Sequence, residues 1–330
     1  MKDTLEFLFN GGVLTRKEAA DHLKLLAEGT VSLEQMTAFT TVFRMRPIEV
    51  KELQGFRDTL LALKVPVNIE NNEAIDIVGT GGDGKNTFNI STTSAFVIAG
   101  AGFRVCKHGS YGVSSNCGSS NVLMELGYEF TKNSDRLNKQ LDKAKICFFH
   151  APLFHPAMKA VVPMRKGLKI KTFFNMLGPL VNPLQPEYQL FGTYNLEVAN
   201  LYNELLKSEG KKYTVVYADD GYDEISLTSS ASVFRPDATI SLNANDFGLP
   251  VTVASELFGG ESPKEAGKIL TNVLNNKGTV GQTSAVLANA ALAIQTIDSK
   301  LSLNAAVSKA KESIESGKAM NALKKLIENN

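Results

Sequence analysis

The sequence predicts an α/β protein with a small helical N-terminal domain and a larger α/β domain whose central sheet is largely parallel. Two observations lead to this prediction. Roughly the first 65 residues show only helical patterns, whereas from Ile75 onward short β-branched runs alternate with loops and helical stretches. We therefore place the helical domain at residues 1–70, expect helices from about 160–185 to join it, and assign residues 71–330 to the α/β domain.

The helical domain begins with recognisable helix starts. Two Ser/Thr-x-x-Glu/Gln patterns predict capping boxes, one at Thr15 with Glu18 and one at Ser32 with Gln35. Pro47 stands where a third helix can begin, because proline is tolerated in the first helical turn. An all-helical segment without glycine-rich loops is more typical of a scaffold or an oligomer interface than of an active site.

In the α/β domain, four runs rich in β-branched and aromatic residues predict strands: Ile75–Val78, Phe103–Cys106, Tyr213–Tyr217 and Thr239–Leu242. The C-terminal part is mostly helical, and its alanine-rich stretch Thr283–Ile297 is a candidate buried helix. Ligands of parallel α/β sheets bind at the carboxyl ends of the strands. The polar segments that follow the first two strands are therefore the first candidates for a site.

The composition is that of an ordinary globular protein, with 21% charged and 43% hydrophobic residues in a chain of 330. A formal net charge of +1 gives no global field for nucleic acid, so an anionic ligand needs a local site. No run approaches the roughly 18 apolar residues of a transmembrane helix, and the N-terminus lacks a signal-peptide pattern. Three cysteines without CxxC spacing argue against a disulfide scaffold or a zinc site. We expect a cytoplasmic protein without membrane or nucleic-acid partners.

Segment 76–94 is the most informative part of the chain. After an apolar strand it carries four glycines in six residues, Gly79-Thr-Gly-Gly-Asp-Gly84, then small hydroxyl and amide residues, then an apolar helix start. Glycines allow positive φ and a close approach of a ligand to the backbone, and a helix N-terminus offers unpaired N–H groups to an anion. Asn89, Ser91 and Thr92 add side-chain donors. The segment therefore predicts phosphate binding.

The same glycines also satisfy the G-x-G-x-x-G pattern of dinucleotide-binding folds. Such a fold uses an acidic residue about 20 residues further on to hold the ribose, whereas this chain has the cationic pair Lys107-His108 at the next strand end. A Walker A loop is excluded because the chain has no GKS or GKT. A glycine turn without a ligand stays open, but the convergence of polar residues favours phosphate.

Three further groups suit the same chemistry. Lys107 lies between a predicted strand and the Gly/Ser run that ends near Ser119, where its charge can neutralise a phosphate. Asp223-Glu224 follows the strand Tyr213–Tyr217, and paired carboxylates suit magnesium bridged to a phosphate, although a plain solvated turn stays open. Arg165 can bind a planar carboxylate through two parallel hydrogen bonds. The absence of a Ser-His-Asp order or a G-x-S-x-G elbow favours catalysis by positioning and charge neutralisation.

Together these blocks resemble the anthranilate phosphoribosyltransferases, a family of tryptophan-biosynthesis enzymes in the nucleoside phosphorylase/phosphoribosyltransferase superfamily. The matching blocks stand in the family's order: Gly79–Thr92, Lys107–Gly109, Ser114-Ser115 with Gly118-Ser119, Phe154–Met158, Arg165, Phe174–Pro183 and Asp223–Ile225. The helical start and the segments Leu257–Gly260 and Asn289–Ala291 extend the resemblance across nearly the whole chain.

The resemblance implies transfer of the phosphoribosyl group of 5-phosphoribosyl 1-diphosphate (PRPP) to anthranilate, without a protein nucleophile. It also implies two Mg2+ ions per subunit and a homodimer formed through the helical domain. The implied metal ligands are Ser91, Asp223 and Glu224, and the implied anthranilate contacts are Gly79, His108, Ser110 and Arg165. The implied PRPP contacts are Gly79, Gly82, Asp83, Thr87, Asn89, Ile90, Ser91, Thr92, Lys107, Ser114, Ser115 and Ser119.

One position departs from the family. After Lys-His-Gly the family usually has Asn, often followed by Arg, whereas this chain has Ser110 and Tyr111. Serine is shorter and offers one donor, while asparagine offers an acceptor and two donors, so the contact with the aromatic acceptor is affected. Two alternatives stay open: a pyrimidine nucleoside phosphorylase-like enzyme or paralogue with another acceptor, and a nonenzymatic nucleotide- or nucleic-acid-binding relative. The phosphorylases lack the Asn175–Leu180 block.

Overall fold

The computed structural model describes residues 1–70, 73–112 and 117–330. The chain divides into two compact units. One is all-helical and combines Met1–Pro66 with Ala151–Pro183, whereas the other combines Val67–His150 with Leu184–Asn330 and contains the sheet. The predicted fold class, a small helical domain with a larger α/β domain on a mostly parallel sheet, is confirmed. The domain boundaries at 1–70 and 71–330 stay a prediction.

The helical unit has a core of stacked and edge-on phenylalanine rings. Among its described residues are the 3-10 helix Pro156–Val161 and seven α-helices: α1 (Lys2–Phe9), α2 (Arg16–Ala27), α3 (Leu33–Met45), α4 (Val50–Ala62), α8 (Ala151–Phe154), α9 (Val162–Leu168) and α10 (Phe173–Leu180). The rings of Phe39, Phe43, Phe56 and Phe173 lie with centroids 4.6 to 6.4 Å apart. Aromatic pairs at such distances stabilise a core beyond the area they bury.

The predicted capping boxes form to different extents. At Thr15 both halves are present, because its hydroxyl accepts a 3.2 Å bond from Glu18 N and the Glu18 carboxylate accepts a 2.8 Å bond from Thr15 N. At the start of α3, Ser32 Oγ accepts a 3.3 Å bond from Gln35 N, which caps the helix through one hydrogen bond. Both helices therefore begin where the sequence predicts them.

The predicted start of the third helix at Pro47 is wrong, because α4 begins at Val50. The carboxylate of Glu52, which is completely buried, accepts a 3.0 Å bond from the N–H of Glu49. The same carboxylate accepts bonds of 2.6 and 2.9 Å from the guanidinium of Arg46. This ion pair holds the preceding segment in a non-helical path, and no local pattern around Pro47 reveals it.

The sheet has seven strands in the order β3-β2-β1-β4-β5-β6-β7 within the described residues. They are β1 (Ile75–Gly79), β2 (Val105–Gly109), β3 (Ile146–His150), β4 (Tyr188–Gly192), β5 (Lys212–Ala218), β6 (Ala231–Phe234) and β7 (Thr239–Leu242). The strands from β3 to β5 pair in parallel, and β6 and β7 add antiparallel pairs. Strands β3, β4 and β6 were not predicted from the sequence, since short strands buried on both faces lack the alternating pattern.

Helices of the larger unit cover the sheet. They are α5 (Ile90–Gly100), α6 (Ser119–Glu125), α7 (Ser134–Ala144), α11 (Leu196–Ser208), α12 (Pro263–Leu274), α13 (Val280–Ile297), α14 (Leu303–Glu315) and α15 (Lys318–Glu328). Helix α13 packs against α5, β4 and β5, and most of its residues are buried, which confirms the prediction for Thr283–Ile297. In the part of the chain that the structure describes, no helix is both long and apolar enough to cross a membrane.

The order of the strands reverses between β1 and β4. From β1 the chain moves outward to β2 and β3, and later moves in the opposite direction from β4 to β5. Ligands of open α/β sheets bind beyond the carboxyl ends of the strands at such a reversal. Strand β1 ends there in Gly79 and β4 ends in Gly192, and these two glycines are register partners.

Candidate active site

The loop that follows β1 owes its shape to glycine. Gly81, Gly82 and Gly84 have φ angles of +62°, +77° and +76°, a region that glycine adopts without steric cost. Helix α5 begins after the loop, with Asn89 as its N-cap residue. The Asn89 side-chain amide donates a 3.0 Å hydrogen bond to the carbonyl of Cys117. The start of α5 is thereby tied to the segment that leads into α6.

Asp223 lies directly against the ends of β1 and β4, where the strand order reverses. The N–H of Gly81 donates a 2.6 Å hydrogen bond to Asp223 Oδ2. A Cβ on Gly79 would lie 2.3 Å from that same oxygen, and a Cβ on Gly192 would lie 1.6 Å from the Asp223 carbonyl oxygen. Glycine at both strand ends is therefore what lets the acidic turn approach the sheet.

The carboxyl group of Asp223 has two acidic neighbours, Asp83 and Glu224. The N–H of Ser91 donates a 2.8 Å hydrogen bond to Glu224 Oε1, and Asp83 is hydrogen-bonded to Asp223. Burial, followed by the charge of Asp83, raises the pKa of Asp223 to about 7. Burial and the charge of Asp223 raise the pKa of Glu224 well above its ordinary value. Neighbouring carboxylates that are shielded from water resist simultaneous ionisation.

This donor set fits a divalent cation that also binds phosphate. Mg2+ prefers oxygen ligands and is commonly held by one or two carboxylates together with substrate phosphates and water. Over residues 1–70, 73–112 and 117–330, no cluster of three or more His, Cys, Asp or Glu side chains is placed to hold one metal ion. Asp223 and Glu224, called the acidic pair below, therefore suit a cation whose remaining ligands come from a phosphate and from water.

Lys107 is buried between β1 and the start of α5, with 2% of its surface exposed. Its ammonium group donates a 2.5 Å hydrogen bond to the carbonyl of Ile77 and lies 3.5 Å from Ser91 Oγ. Burial lowers the pKa of Lys107, and the negative charges of Asp76 and of the acidic pair act in the opposite direction. The Lys107 ammonium therefore lies at the start of α5, where it interacts electrostatically with the acidic pair.

Asp76 is a residue of this region to which the sequence analysis gave no role. It is completely buried on β1, and its Oδ1 accepts a 3.1 Å hydrogen bond from the N–H of His108. Because a buried charge is costly without partners, an acidic residue inside the apolar run of β1 is a visible signal of such a contact. Asp76, near the start of β1, thereby holds the backbone of His108 near the end of β2.

Ser110 and Ser119 lie against each other at the end of β2. Ser119 is the first residue of α6, and its hydroxyl donates a 3.4 Å hydrogen bond to the carbonyl of Ser110. A Cβ on Gly109 would lie 2.2 Å from Ser119 Oγ, so this approach also requires glycine. Two further predicted contacts, Ser114 and Ser115, lie outside the described residues.

Segment 257–260 contacts Thr87 and Phe88, which connect the glycine loop to α5. Thr87 forms an isolated antiparallel bridge with Phe258, and Phe88 N donates a 2.9 Å bond to the carbonyl of Leu257. A Cβ on Gly259 would lie 2.5 Å from the Thr87 carbonyl oxygen. The sequence showed this segment only as part of the family resemblance, because nothing local predicts its contact with Thr87.

Two of the predicted PRPP contacts, Ile90 and Thr92, have side chains that point into the protein. Ile90 and Thr92 lie in the first turn of α5, and both side chains are buried. Any contact of these two residues with a ligand would therefore involve the main chain of this turn, where the N–H groups of Ile90 and Ser91 already donate to Phe88 O and Glu224 Oε1. Gly82, in the loop before the turn, also has no side chain to offer.

Arg165 belongs to the helical unit, where it lies on α9. Its guanidinium carbon lies 5.9 Å from the centre of the Phe174 ring, within cation–π range. Burial lowers the pKa of Arg165, but a guanidinium remains charged at neutral pH. The other predicted site residues that the structure describes all belong to the larger unit.

Comparison with known proteins decides the family. The model of the α/β domain of a glycosyl transferase family matches residues 71–320, and that of its helical bundle domain matches residues 2–63. An anthranilate phosphoribosyltransferase from Cytophaga hutchinsonii is 49% identical over 99% of this chain and 100% of its own. The chain belongs to the anthranilate phosphoribosyltransferase family. A second member, from Bacteroides thetaiotaomicron, is 47% identical over 100% of this chain and 99% of its own.

Solved structures of anthranilate phosphoribosyltransferases share the fold. The crystal structure of the enzyme from Thermus thermophilus matches with a TM-score of 0.92 and 29% identity, covering 99% of each chain. The Saccharomyces cerevisiae enzyme in complex with PRPP and Mg matches with a TM-score of 0.90 and 28% identity, covering 98% of this chain and 96% of its own. Another structure of the yeast enzyme is a complex with 4-fluoroanthranilate.

Proposed function

We propose that the protein transfers the phosphoribosyl group of PRPP to the amine of anthranilate in L-tryptophan biosynthesis, giving N-(5-phosphoribosyl)anthranilate and pyrophosphate. The observation that carries the proposal is the junction of the glycine loop with the acidic pair, where Gly81 N–H donates to Asp223 at 2.6 Å. A phosphate-binding loop and a magnesium-type carboxylate pair are thereby part of one site. Full-length relatives of the same family support this activity.

PRPP binds along the glycine loop and the start of α5. Backbone N–H groups hold its phosphates, and Lys107 neutralises their charge. The bond from the anomeric carbon to the diphosphate oxygen breaks as the bond to the anthranilate nitrogen forms. The proposed contacts are Gly79, Gly82, Asp83, Thr87, Asn89, Ile90, Ser91, Thr92, Lys107, Ser114, Ser115 and Ser119.

Ser91 and the acidic pair hold Mg2+, with two ions per subunit. When bound, magnesium neutralises the charge of the leaving diphosphate. A cation also removes the conflict between neighbouring buried carboxylates, because it favours their ionised forms. The yeast relative in complex with PRPP and Mg supports the use of Mg2+.

Anthranilate binds at Gly79, His108, Ser110 and Arg165. The Arg165 guanidinium pairs with its carboxylate, for which a planar fork of donors is well suited. The amine of an aromatic ring attacks the anomeric carbon with little activation, which is consistent with a reaction that uses no protein nucleophile. The yeast relative in complex with 4-fluoroanthranilate supports an acceptor of this class.

The protein forms a homodimer through its helical unit and acts in the cytoplasm. Several large apolar side chains of that unit are exposed, among them Phe9 at 60% and Met45 at 83%. A contact with a second copy of the chain would cover such side chains. The cysteines Cys106, Cys117 and Cys147 are free thiols, as expected in a reducing compartment.

The decisive test follows anthranilate fluorescence with purified protein, PRPP and Mg2+. Loss of fluorescence that requires both additions is the expected result. Unchanged fluorescence together with phosphorolysis of uridine or thymidine would overturn the proposal in favour of a nucleoside phosphorylase. Binding of single-stranded nucleic acid without turnover would instead indicate a nonenzymatic relative.

A further inference from the structure

We propose that Asn289 is a positioning residue that sets the acidic pair in its metal-binding place. It lies on the buried helix α13, far along the chain from the acidic turn, and only 1% of its surface is exposed. This inference rests on the proposed function, because it assigns a role toward the metal held by the acidic pair.

The Asn289 side chain pairs with both backbone groups of a single residue. Its Oδ1 accepts a 3.0 Å hydrogen bond from Ile225 N, and its Nδ2 donates a 2.9 Å bond to Ile225 O. Nδ2 also donates a 2.8 Å bond to Ala285 O in the preceding turn of α13. The amide thus anchors Ile225 to a helix that is itself fixed in the core.

Ile225 directly follows Glu224, so its backbone determines where that carboxylate starts. The Glu224 carboxylate extends to the start of α5, where Ser91 N–H donates to it at 2.8 Å. On the other side of the pair, the carbonyl of Asp223 packs against Gly192, at the place where any other residue would have its Cβ. The acidic pair is therefore held on one side by glycine and on the other by Asn289.

The carboxamide of Asn289 satisfies both groups of Ile225 because its acceptor and its donor are separate atoms. An aspartate at this position would accept from the N–H but would face two carbonyl oxygens without a donor, and an alanine would leave both groups unpaired. Residues that orient metal ligands commonly change metal affinity by about 10- to 100-fold when they are replaced. We expect a loss in this range from Asn289→Ala.

Gln140 provides a matched control in the same unit. It is equally buried, at 0% exposure, and its amide accepts a 3.0 Å bond from Tyr128 OH and donates a 3.2 Å bond to Asn329 O. Gln140→Ala therefore also removes a buried carboxamide with two partners, but it does so on α7, away from the acidic pair. Any loss that both variants share reports stability alone.

The experiment measures Mn2+ binding by electron paramagnetic resonance in the presence of PRPP, with circular dichroism to record folding. We expect Asn289→Ala to weaken Mn2+ binding about 10-fold or more while the KM for anthranilate stays unchanged, and Gln140→Ala to bind Mn2+ like the unsubstituted protein. If Asn289→Ala does not fold, Mn2+ binding is measured for Asn289→Ser, which should also weaken it about 10-fold or more.

Mn2+ binding by the folded variant within about twofold of the unsubstituted protein would overturn the inference, as would an equal loss in Gln140→Ala. The proposed function is judged separately on the unsubstituted protein. If that protein consumes anthranilate and binds Mn2+ but the variants behave alike, only the inference fails. If the unsubstituted protein shows neither, the proposed function and this inference fail together.

Discussion

The N–H of Gly81 donates a 2.6 Å hydrogen bond to Asp223 Oδ2, which joins the loop after β1 to the turn after β5. Strand β4 lies between these two strands, so the turn has to cross its end. It does so over Gly192, where the Asp223 carbonyl oxygen occupies the space that a Cβ would take. The candidate site therefore depends on glycine at the ends of β1 and β4, which leaves room for Asp223.

Replacing the acidic pair by its neutral isosteres tests the metal assignment. We expect Asp223→Asn combined with Glu224→Gln to lower kcat by about two orders of magnitude or more, because the charge on the leaving diphosphate loses its stabilisation. Steady-state assays at increasing Mg2+ provide the measurement. The exposed Asp219→Asn on the same turn serves as control and should keep normal turnover. Full turnover of the double variant in saturating Mg2+ would contradict the assignment.

The close approach at the end of β4 predicts that Gly192→Ala abolishes activity. Its Cβ would lie 1.6 Å from the Asp223 carbonyl oxygen, so the acidic turn must move away from the sheet. Gly178→Ala is the control, since a Cβ there meets nothing within 4 Å and alanine favours a helix. Activity and thermal unfolding of both variants provide the comparison. Normal activity in Gly192→Ala would show that the turn can shift without consequence.

Removing the guanidinium of Arg165 tests the acceptor assignment. A hydrogen bond to a charged group contributes about 1.5 to 3 kcal/mol, which corresponds to roughly a 10- to 100-fold rise in the KM for anthranilate in Arg165→Ala. The KM for PRPP should change little. Lys166→Ala removes a neighbouring exposed cation and should leave both constants unaltered. An equal rise in both constants for Arg165→Ala would indicate a general structural defect.

Stability should depend on pH through His150, which ends β3 with 4% of its surface exposed. Its Nδ1 lies 2.8 Å from Ser120 Oγ, and its ring stacks on Phe130 with centroids 4.4 Å apart. Burial lowers the pKa of His150 to about 4, whereas the unfolded chain has an ordinary value of about 6.5. Between these values the unfolded state binds the extra proton, so the free energy of unfolding falls as the pH falls.

Urea unfolding at pH 7.5 and pH 5 measures this contribution. The unsubstituted protein should lose more stability between the two pH values than His150→Phe, which keeps the stacking but cannot be protonated. The comparison uses the difference between pH values, so the lost Ser120 bond does not affect it. Equal losses in both proteins would show that His150 does not titrate in this window.

Features that depend on residues close together in the sequence were predictable from it. The glycine loop with positive φ, the capping box at Thr15 and the buried helix at Thr283–Ile297 each follow from local chemistry or periodicity. The missed strands β3 and β4 are short and buried on both faces, so their sequences lack a distinctive period. Helix α4 begins at Val50 and not at Pro47, and the Glu52 carboxylate that binds Glu49 N–H and Arg46 there depends on contacts beyond the proline itself.

The fold class, the glycine loop and the residue types suited to a diphosphate, a cation and a carboxylate are all readable from the order of the amino acids. The hydrogen bond from Gly81 to Asp223, the close approach of Asp223 to Gly192 and the pairing of Asn289 with Ile225 appear only in the folded chain. These contacts join segments that are distant along the chain. They follow from the order of the strands and from the packing of α13 against the sheet, which no local pattern specifies.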